Sequence, residues 1–558
     1  MLKKLWKDSA FRYSLISSAI WVLVCHAYAF FNDLFSHDAL NALYASSVEE
    51  HWKVELGRFV FPVYRTILRG ALATPWIIGL LTILWVTLAV YVLAKIFGLR
   101  KFAPIFFAAG ILAVNRTMFC LGATYLYELD IDMLSVFLAV LSVYLWKNRK
   151  MGFLYGALPL VGTLGIYQCN ISVAAVLVIF VLVLALVRGE LSAKDAFRKG
   201  LLSLAMFVIA ALIYLVILKL ISWVFGISPV TGYYNSITNA LAPKTRGILS
   251  LLIGMYRDFR QTIFYWPTTY PSVLITCAVL LSLLASLVQL VWLAVRRKKA
   301  EAEARSAEEV PVNKDGSQQK NSRKARLWSL ILAAALLLLL PAASNLAYVL
   351  NNGNVHDLMK YAVWMVFLLP VILPGGNGNV GSANDVESDT TDPSTAKALR
   401  GRKVISSIVY ILLFVILADF VVSANSIYLK KNLEQHATLS LMTRVFYDID
   451  RTPGYVAGET PICFIGAPDL DRQMPGFEKY YRFTGTWAGS AIASDNYEYF
   501  YHPYRVYVQY YLNEKVAFCS SDEYRAFKTN QAVLEMPVYP ADGSIDWVDG
   551  VLIIHMSK

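Results

Sequence analysis

Eleven runs of apolar side chains govern what this chain can become. They lie near 12–31, 76–97, 103–120, 132–146, 152–167, 170–187, 201–225, 271–295, 327–349, 358–374 and 404–424. A helix needs roughly 17–25 apolar residues to cross the hydrocarbon layer of a bilayer. A water-soluble fold in which 57% of 558 residues are apolar and 16% charged would expose too much apolar surface. The expected class is therefore an α-helical polytopic membrane protein with about eleven transmembrane helices.

The net charge of +12 does not point to nucleic acid, because the basic residues sit in short groups between the apolar runs. With the N-terminus in the cytoplasm, the inner loops carry Arg100-Lys101, Lys147/Arg149/Lys150, Arg188/Lys194/Arg198/Lys199, the run from Arg296 to Arg326, and Lys397/Arg400/Arg402/Lys403. Every inner loop is then basic, as the positive-inside rule demands, and an odd number of crossings puts the C-terminus outside. The opening "MLKKLWKDSAFRYSLISSAIWVLVCHAYAFF" has no small-residue cleavage site and reads as a first helix rather than a signal peptide. Residues 296–326 and 375–403 are polar and poor in aromatics, and both are expected to be disordered inner loops. No internal repeat of the transporter type is evident. Of the six cysteines, Cys463 and Cys519 could pair if their segment is extracytoplasmic. Neither CxxC nor HExxH spacing occurs, so no metal site and no cofactor is indicated, with a divalent ion left open.

Two outer loops are structured. Residues 32–75 read as two amphipathic surface helices, with Leu40, Leu43, Tyr44, Val48 and Trp52 in one stripe. Residues 226–270 hold another interfacial helix with Arg257 and Arg260 on its polar side, and the aromatics at 265–271 suit the head-group layer. The chain divides into a transmembrane part, 1–425, and an extracytoplasmic α/β domain, 426–558. In the latter a helix near 430–451 precedes the strand "PICFIG", and "WVDGVLIIHM" closes the chain as strand.

Four groups of residues could carry chemistry. Asp33, His37 and Asp38 follow the first run, and Glu49, Glu50, Glu55 and Gly57-Arg58 come some two dozen residues later. A carboxylate at the hydrocarbon edge can accept a proton, and an arginine can grip a phosphate through paired N–H donors. Plain solvated loop polars are the slightly favoured alternative. Glu128, Asp130 and Asp132 lead into the fourth run, with Glu128 and Asp132 four apart on one helical face. At the bilayer centre each would cost about 2.5–3.5 kcal/mol, so they belong at the rim or against a wet cavity. A helix-terminal stabilising role weighs about equally. The Tyr167-Gln168-Asn170 turn is more often only a tight hairpin. His356, Asp357 and Lys360 stand at an outer span end, where the lysine either snorkels to head groups or binds a lipid-linked phosphate. The aromatic run 497–511 fits a core or membrane-facing patch better than a sugar platform. The sequons at Asn115 and Asn170 lie too near the bilayer to carry weight.

The ordered set "FFND", "HWKVELGRFVFPVYRTIL", "YLYELDIDMLSVFLAVL", "GIYQCNIS" and "PVYPADGSIDWVDGVLII" resembles the polytopic glucosyltransferase family typified by phage serotype-converting O-antigen glucosyltransferases. The resemblance covers most of the chain, through an Asp after the first span, a Gly-Arg segment, a Tyr-x-x-Asp segment at Tyr127 and a Tyr-Gln turn. It implies a GT-C-like enzyme that takes a hexose, glucose in that family, from a polyprenyl-phosphate carrier. The acceptor it implies is a surface polysaccharide, on the outer face of the bacterial cytoplasmic membrane.

On this reading Asp33 is the general base, and Glu128, Asp130 and Asp132 orient the acceptor or assist. Arg58, with Lys360 or Arg257, stabilises the leaving phosphate. His37, Asp38, Tyr127, Tyr167 and Gln168 contribute to substrate binding. The expected partners are the lipid-linked donor, the polysaccharide and the bilayer, with no nucleic acid. The rivals are a flippase or transporter of lipid-linked saccharide, a polysaccharide polymerase and a non-catalytic scaffold. A transporter would want charges in the middle of several spans, and few are found there.

Overall fold

A computed structural model of the chain describes residues 2–34, 46–70, 73–231, 238, 242–307, 316–375, 393–466, 505 and 507–557. The apolar runs are helical, as backbone in lipid must be. In order they are α1 (Ser9–Phe31), then after the short α2 (Ser46–Glu55) come α3 (Pro75–Phe97), α4 (Phe102–Ala113), α5 (Arg116–Thr124), α6 (Leu129–Asn148) and α7 (Gly152–Ile166). They continue with α8 (Ile171–Arg188), α9 (Ala193–Phe225), α10 (Ile248–Phe264), α11 (Ser272–Ala307), α12 (Gly316–Leu338) and the 58-residue α13 (Pro393–Asp450).

Among the described residues, seven helices are long and apolar enough to cross a membrane, or eight if the α4–α5 pair, bent by 43°, is one span. The runs expected as spans at 103–120, 152–167, 327–349 and 358–374 form shorter or broken apolar helices. Two of the breaks fall at asparagines. Asn115 caps α5 by accepting the Met118 amide at 3.1 Å, and α12 gives way to two single-turn helices on either side of Asn345. Carbonyls freed at the first break find buried donors. The Tyr361 hydroxyl donates to Leu112 O (2.6 Å), and a His26 ring nitrogen lies 2.9 Å from Ala113 O. Such irregular backbone survives in lipid only where protein surrounds it. Asn115 and Asn170 are both buried, so neither sequon offers an accessible side chain.

Close packing rests on small residues. A Cβ on Gly79 of α3 would lie 2.7 Å from the Phe30 ring of α1, so these two spans touch almost backbone to side chain. Asp8 ties the same pair together, capping α1 and receiving Lys95 Nζ from α3 at 2.6 Å. The aromatics at 265–271 divide. Tyr265 is 70% exposed, but Trp266 is 7% exposed and packs on Trp364 and Phe420, not on head groups. Asp419 of α13, buried in that last span, accepts the Thr269 and Tyr270 amides at 2.8 Å each.

Two expected disordered segments are partly helical. Helix α11 runs to Ala307, α12 starts at Gly316, and α13 starts at Pro393. The Glu, Lys and Arg that make these stretches polar are, like the Ala among them, strong helix formers. The helix expected near 430–451 is the continuation of the last span within α13, about 87 Å long at 1.5 Å per residue. It leads to β1 (Pro461–Ile465), β2 (Ala517–Phe518), the short helix α14 (Ser521–Lys528), β3 (Ile545–Val548) and β4 (Val551–His555). The sheet order is β2-β1-β4-β3, with β1 parallel to both neighbours and β3–β4 an antiparallel hairpin. Asp549 and Gly550, both at positive φ, make its two-residue turn, the conformation for which Asp-Gly is favoured. Cys463 and Cys519 are buried and hydrogen-bonded to each other as thiols, without a disulfide between them. Within the aromatic run, Tyr507 and Val508 are buried. Residues 497–504 and 506 lie outside the described residues.

Candidate active site at the N-terminal end of α6

Three chain segments meet where α6 begins. The first is the loop after α2. Its Gly57 sits at φ +84°, and a Cβ there would collide with the Tyr214 hydroxyl, so only glycine fits the turn. The Tyr214 hydroxyl donates to Gly57 O (3.1 Å), and Gln168 Nε2 donates to Leu56 O (2.9 Å). This clamp from α9 and from the α7–α8 turn fixes the direction of Arg58. Beyond it the chain forms a π-helical turn, Arg65–Arg69, a widened winding common at functional sites.

The second segment supplies the acids. Lys53 Nζ lies 2.6 Å from Glu128 Oε1, with the two side chains 4% and 8% exposed. Asp130 takes the opposite face of the helix start. Its Oδ2 meets Arg69 Nε at 3.1 Å and accepts from the Tyr64 hydroxyl at 2.9 Å, and Tyr64 in turn accepts from Trp85 Nε1 at 3.0 Å. Arg69 also donates through Nη2 to the carbonyl of Tyr127 at 2.5 Å. Arg65 Nε stands 3.5 Å from Glu50.

The third segment is the α7–α8 turn. Tyr167 offers its ring face to the Arg58 guanidinium at 4.8 Å, a cation–π contact that strengthens away from water. Asn170 donates to Ser135 Oγ on α6 at 3.2 Å. The turn is a tight hairpin, as its spacing suggested, and its polar side chains also brace the Arg58 loop.

Two groups stand out from these pairs. The Arg58 guanidinium is buried, and among the described residues it makes no ion pair or side-chain hydrogen bond, with Nε wholly unpartnered. Burial opposes its charge, yet Tyr167 and the nearby Glu128 and Asp132 outweigh that and hold its pKa above the ordinary value. Asp132, also buried, has no hydrogen bond or ion pair to another described residue. A cation and a carboxylate held together without direct contact can receive a ligand between them.

A second network lies beside the first. Arg116 meets Asp357 at 2.5 Å, Lys360 meets Asp258 at 2.8 Å, and Asn345 donates to Asp258 at 2.7 Å. Phe61, Tyr64, Tyr167 and Met359 form one apolar group between the two networks. His356, largely buried, is pushed down to about 4 by desolvation, so it is neutral at physiological pH.

The structure therefore brings together Arg58, Glu128, Asp130, Asp132, Tyr127, Tyr167 and Gln168, with Lys360 adjacent. Asp33 does not join them. It stands exposed at φ +46° just after α1, and no bond of its carboxylate to a described residue links it to the cluster. Arg257 is exposed on α10, next to the paired Asp258. His37 and Asp38 lie outside the described residues. Sequence reasoning passed over Lys53, Tyr64, Arg65 and Arg69. The signal was a surplus of cations in residues 53–69 facing three acids that burial would oblige to find partners.

Spanning helices whose broken neighbours end on buried ion pairs define a multi-pass membrane protein with a polar site set into one end of its helical bundle. The profile of the family described as Glucosyl transferase GtrII matches residues 27–306, half of the chain and the stretch that contains every member of the α6 cluster. The chain belongs to that family, and its activity is glucosyl transfer. No curated protein and no solved structure gives a significant match.

Proposed function

We propose that the chain moves glucose from a polyprenyl-phosphate carrier to a surface polysaccharide, at the outer face of the cytoplasmic membrane and with its N-terminus inside. The acceptor hydroxyl oxygen attacks the anomeric carbon. The bond from that carbon to the phosphate oxygen breaks, and the lipid phosphate leaves with the electron pair. Asp132 takes the hydroxyl proton, and Arg58 meets the charge that grows on the departing phosphate. The observation that carries this reading is the buried Arg58 guanidinium, without an ion pair among the described residues, close to Asp132, which likewise has none among them. Glu128 and Asp130 are held by Lys53 and Arg69 and so act as positioning residues. Lys360, already neutralised by Asp258, is less available to a phosphate than Arg58. Asp33, the base expected from sequence, becomes the rival for the proton.

The test is transfer of radiolabelled glucose from polyprenyl-phosphate glucose to polysaccharide in proteoliposomes. Asp132→Asn should lower the rate by roughly 10²–10⁴-fold, the range for a lost general base, with thermal unfolding unchanged. Asp33→Asn should retain most of the activity. Loss in Asp33→Asn with activity kept in Asp132→Asn would return the base to Asp33. Transfer from a nucleotide-linked glucose in place of the lipid donor would overturn the carrier.

A further inference from the structure

At the far end of α6 the molecule has a cavity of about 350 Å³. Lys147, Arg149, Lys150, Arg188 and Lys199 line it, and Glu190 is the single carboxylate among its lining residues. That carboxylate is half exposed and 3.9 Å from Arg188, too far for a tight pair. The floor is different in kind: Phe97, Trp146, Phe153 and Leu184 present apolar surface. Basic residues that served only to orient spans would need nothing more than water around them. Here residues from two separate helix junctions, α6–α7 and α8–α9, surround one hollow, with a rim of cations above an apolar floor.

We propose that this cavity binds an anionic phospholipid, its phosphate head group among the basic side chains and the start of an acyl chain against the aromatic floor. Like charges this close repel one another, and a bound phosphate relieves that repulsion. The hollow is amphipathic, as a lipid is, whereas a free phosphate would leave the apolar floor unused. The site is separate from the Arg58 cluster, since the 20 residues of α6 span about 30 Å at 1.5 Å each. It does not depend on the reaction proposed above.

The test is native mass spectrometry of the full chain in neutral detergent, titrated with short-chain phosphatidylglycerol, phosphatidylcholine or inorganic pyrophosphate. Phosphatidylglycerol should bind at least about tenfold more tightly than phosphatidylcholine. The Arg188→Gln/Lys199→Gln double variant should weaken it a further ten- to thirtyfold, roughly what two surface cations contribute. Arg149→Gln/Lys150→Gln serves if the first pair does not fold. Arg100→Gln/Lys101→Gln, equal in charge but outside the lining, should change binding less than twofold. No preference for phosphatidylglycerol, or equal losses in lining and control variants, overturns the site. Pyrophosphate that displaces the lipid and binds as tightly overturns the lipid as its ligand.

Discussion

The two ends of α6 carry opposite charge and solve the problem of charge in opposite ways. At the N-terminal end, Glu128, Asp130 and Asp132 are buried and face Lys53, Arg58 and Arg69. At the C-terminal end, Lys147, Arg149 and Lys150 are exposed, and their cavity holds one acid. The helix dipole favours both arrangements, so it does not separate them. Burial does. Removing a charge from water costs several kcal/mol unless a partner replaces the water, so the acidic end is built from fixed pairs while the basic end stays open to a ligand. Within the paired end, Arg58 and Asp132 are the departures, and a departure that burial penalises needs a functional reason.

The contrast would fail most visibly at Arg69. Its contact with Asp130 is almost wholly buried, so Arg69→Leu strands a carboxylate and should cost about 3–5 kcal/mol. Lys150→Leu, at an exposed position, should change stability by no more than about 0.5 kcal/mol. The double variant Arg69→Leu/Asp130→Leu should recover much of the loss, since no buried charge is then left alone. Thermal unfolding in detergent reads all three. Similar melting temperatures for the two single variants would erase the distinction between the ends.

A smaller effect is expected at Arg58, where it should appear in activity and not in stability. Arg58→Lys keeps the charge but removes the flat guanidinium that stacks on Tyr167 and can grip a phosphate with two N–H groups. Loss of a charge-assisted hydrogen bond is worth about 1.5–3 kcal/mol, so kcat/KM for the lipid donor should fall roughly ten- to a hundredfold. An unchanged kcat/KM would make Arg58 a packing residue.

Much of this contrast is legible in the sequence, and what is not has a physical cause. The apolar runs give the helices, because lipid leaves the backbone no other choice. Their internal breaks are not legible, because hydropathy averages over Asn115 and Asn345, each a single polar residue that ends one helix and lets another begin. Glu128 and Asp132 fall on one face by simple helical spacing, and the Tyr167-Gln168 turn is visible as a polar interruption. The partners are not legible. Nothing local to Asp130 says that Arg69 will reach it, since the approach depends on the π-helical turn at Arg65–Arg69 and the clamp on Gly57. Asp33 has the right neighbours in sequence, and its carboxylate makes no bond to the cluster among the described residues. Composition was a poor guide beyond Arg296, where residues that are soluble in water are also content in a helix.

A reference for both ends of α6 lies in the C-terminal part, where a charge works wholly in water. Ser520 and Glu523 form a capping box at the start of α14: Ser520 Oγ accepts the Glu523 amide, and the Glu523 carboxylate accepts the Ser520 amide at 2.7 Å. That hydrogen bond from the Ser520 amide holds the Glu523 carboxyl below its ordinary value of 4.5. A carboxyl depressed in the fold contributes stability above its unfolded pKa and loses it as pH falls through the folded one. The contribution should thus be full at neutral pH and fade below about 4.5. Ser520→Ala removes one half of the box and should cost about 1 kcal/mol at pH 7, less than Arg69→Leu by a factor of several. Glu523→Gln should leave a protein whose unfolding is less sensitive to acid in that window, as followed by the C-terminal strands in hydrogen exchange. A loss in Ser520→Ala as large as that in Arg69→Leu would mean that exposure does not set the value of a charge contact in this chain.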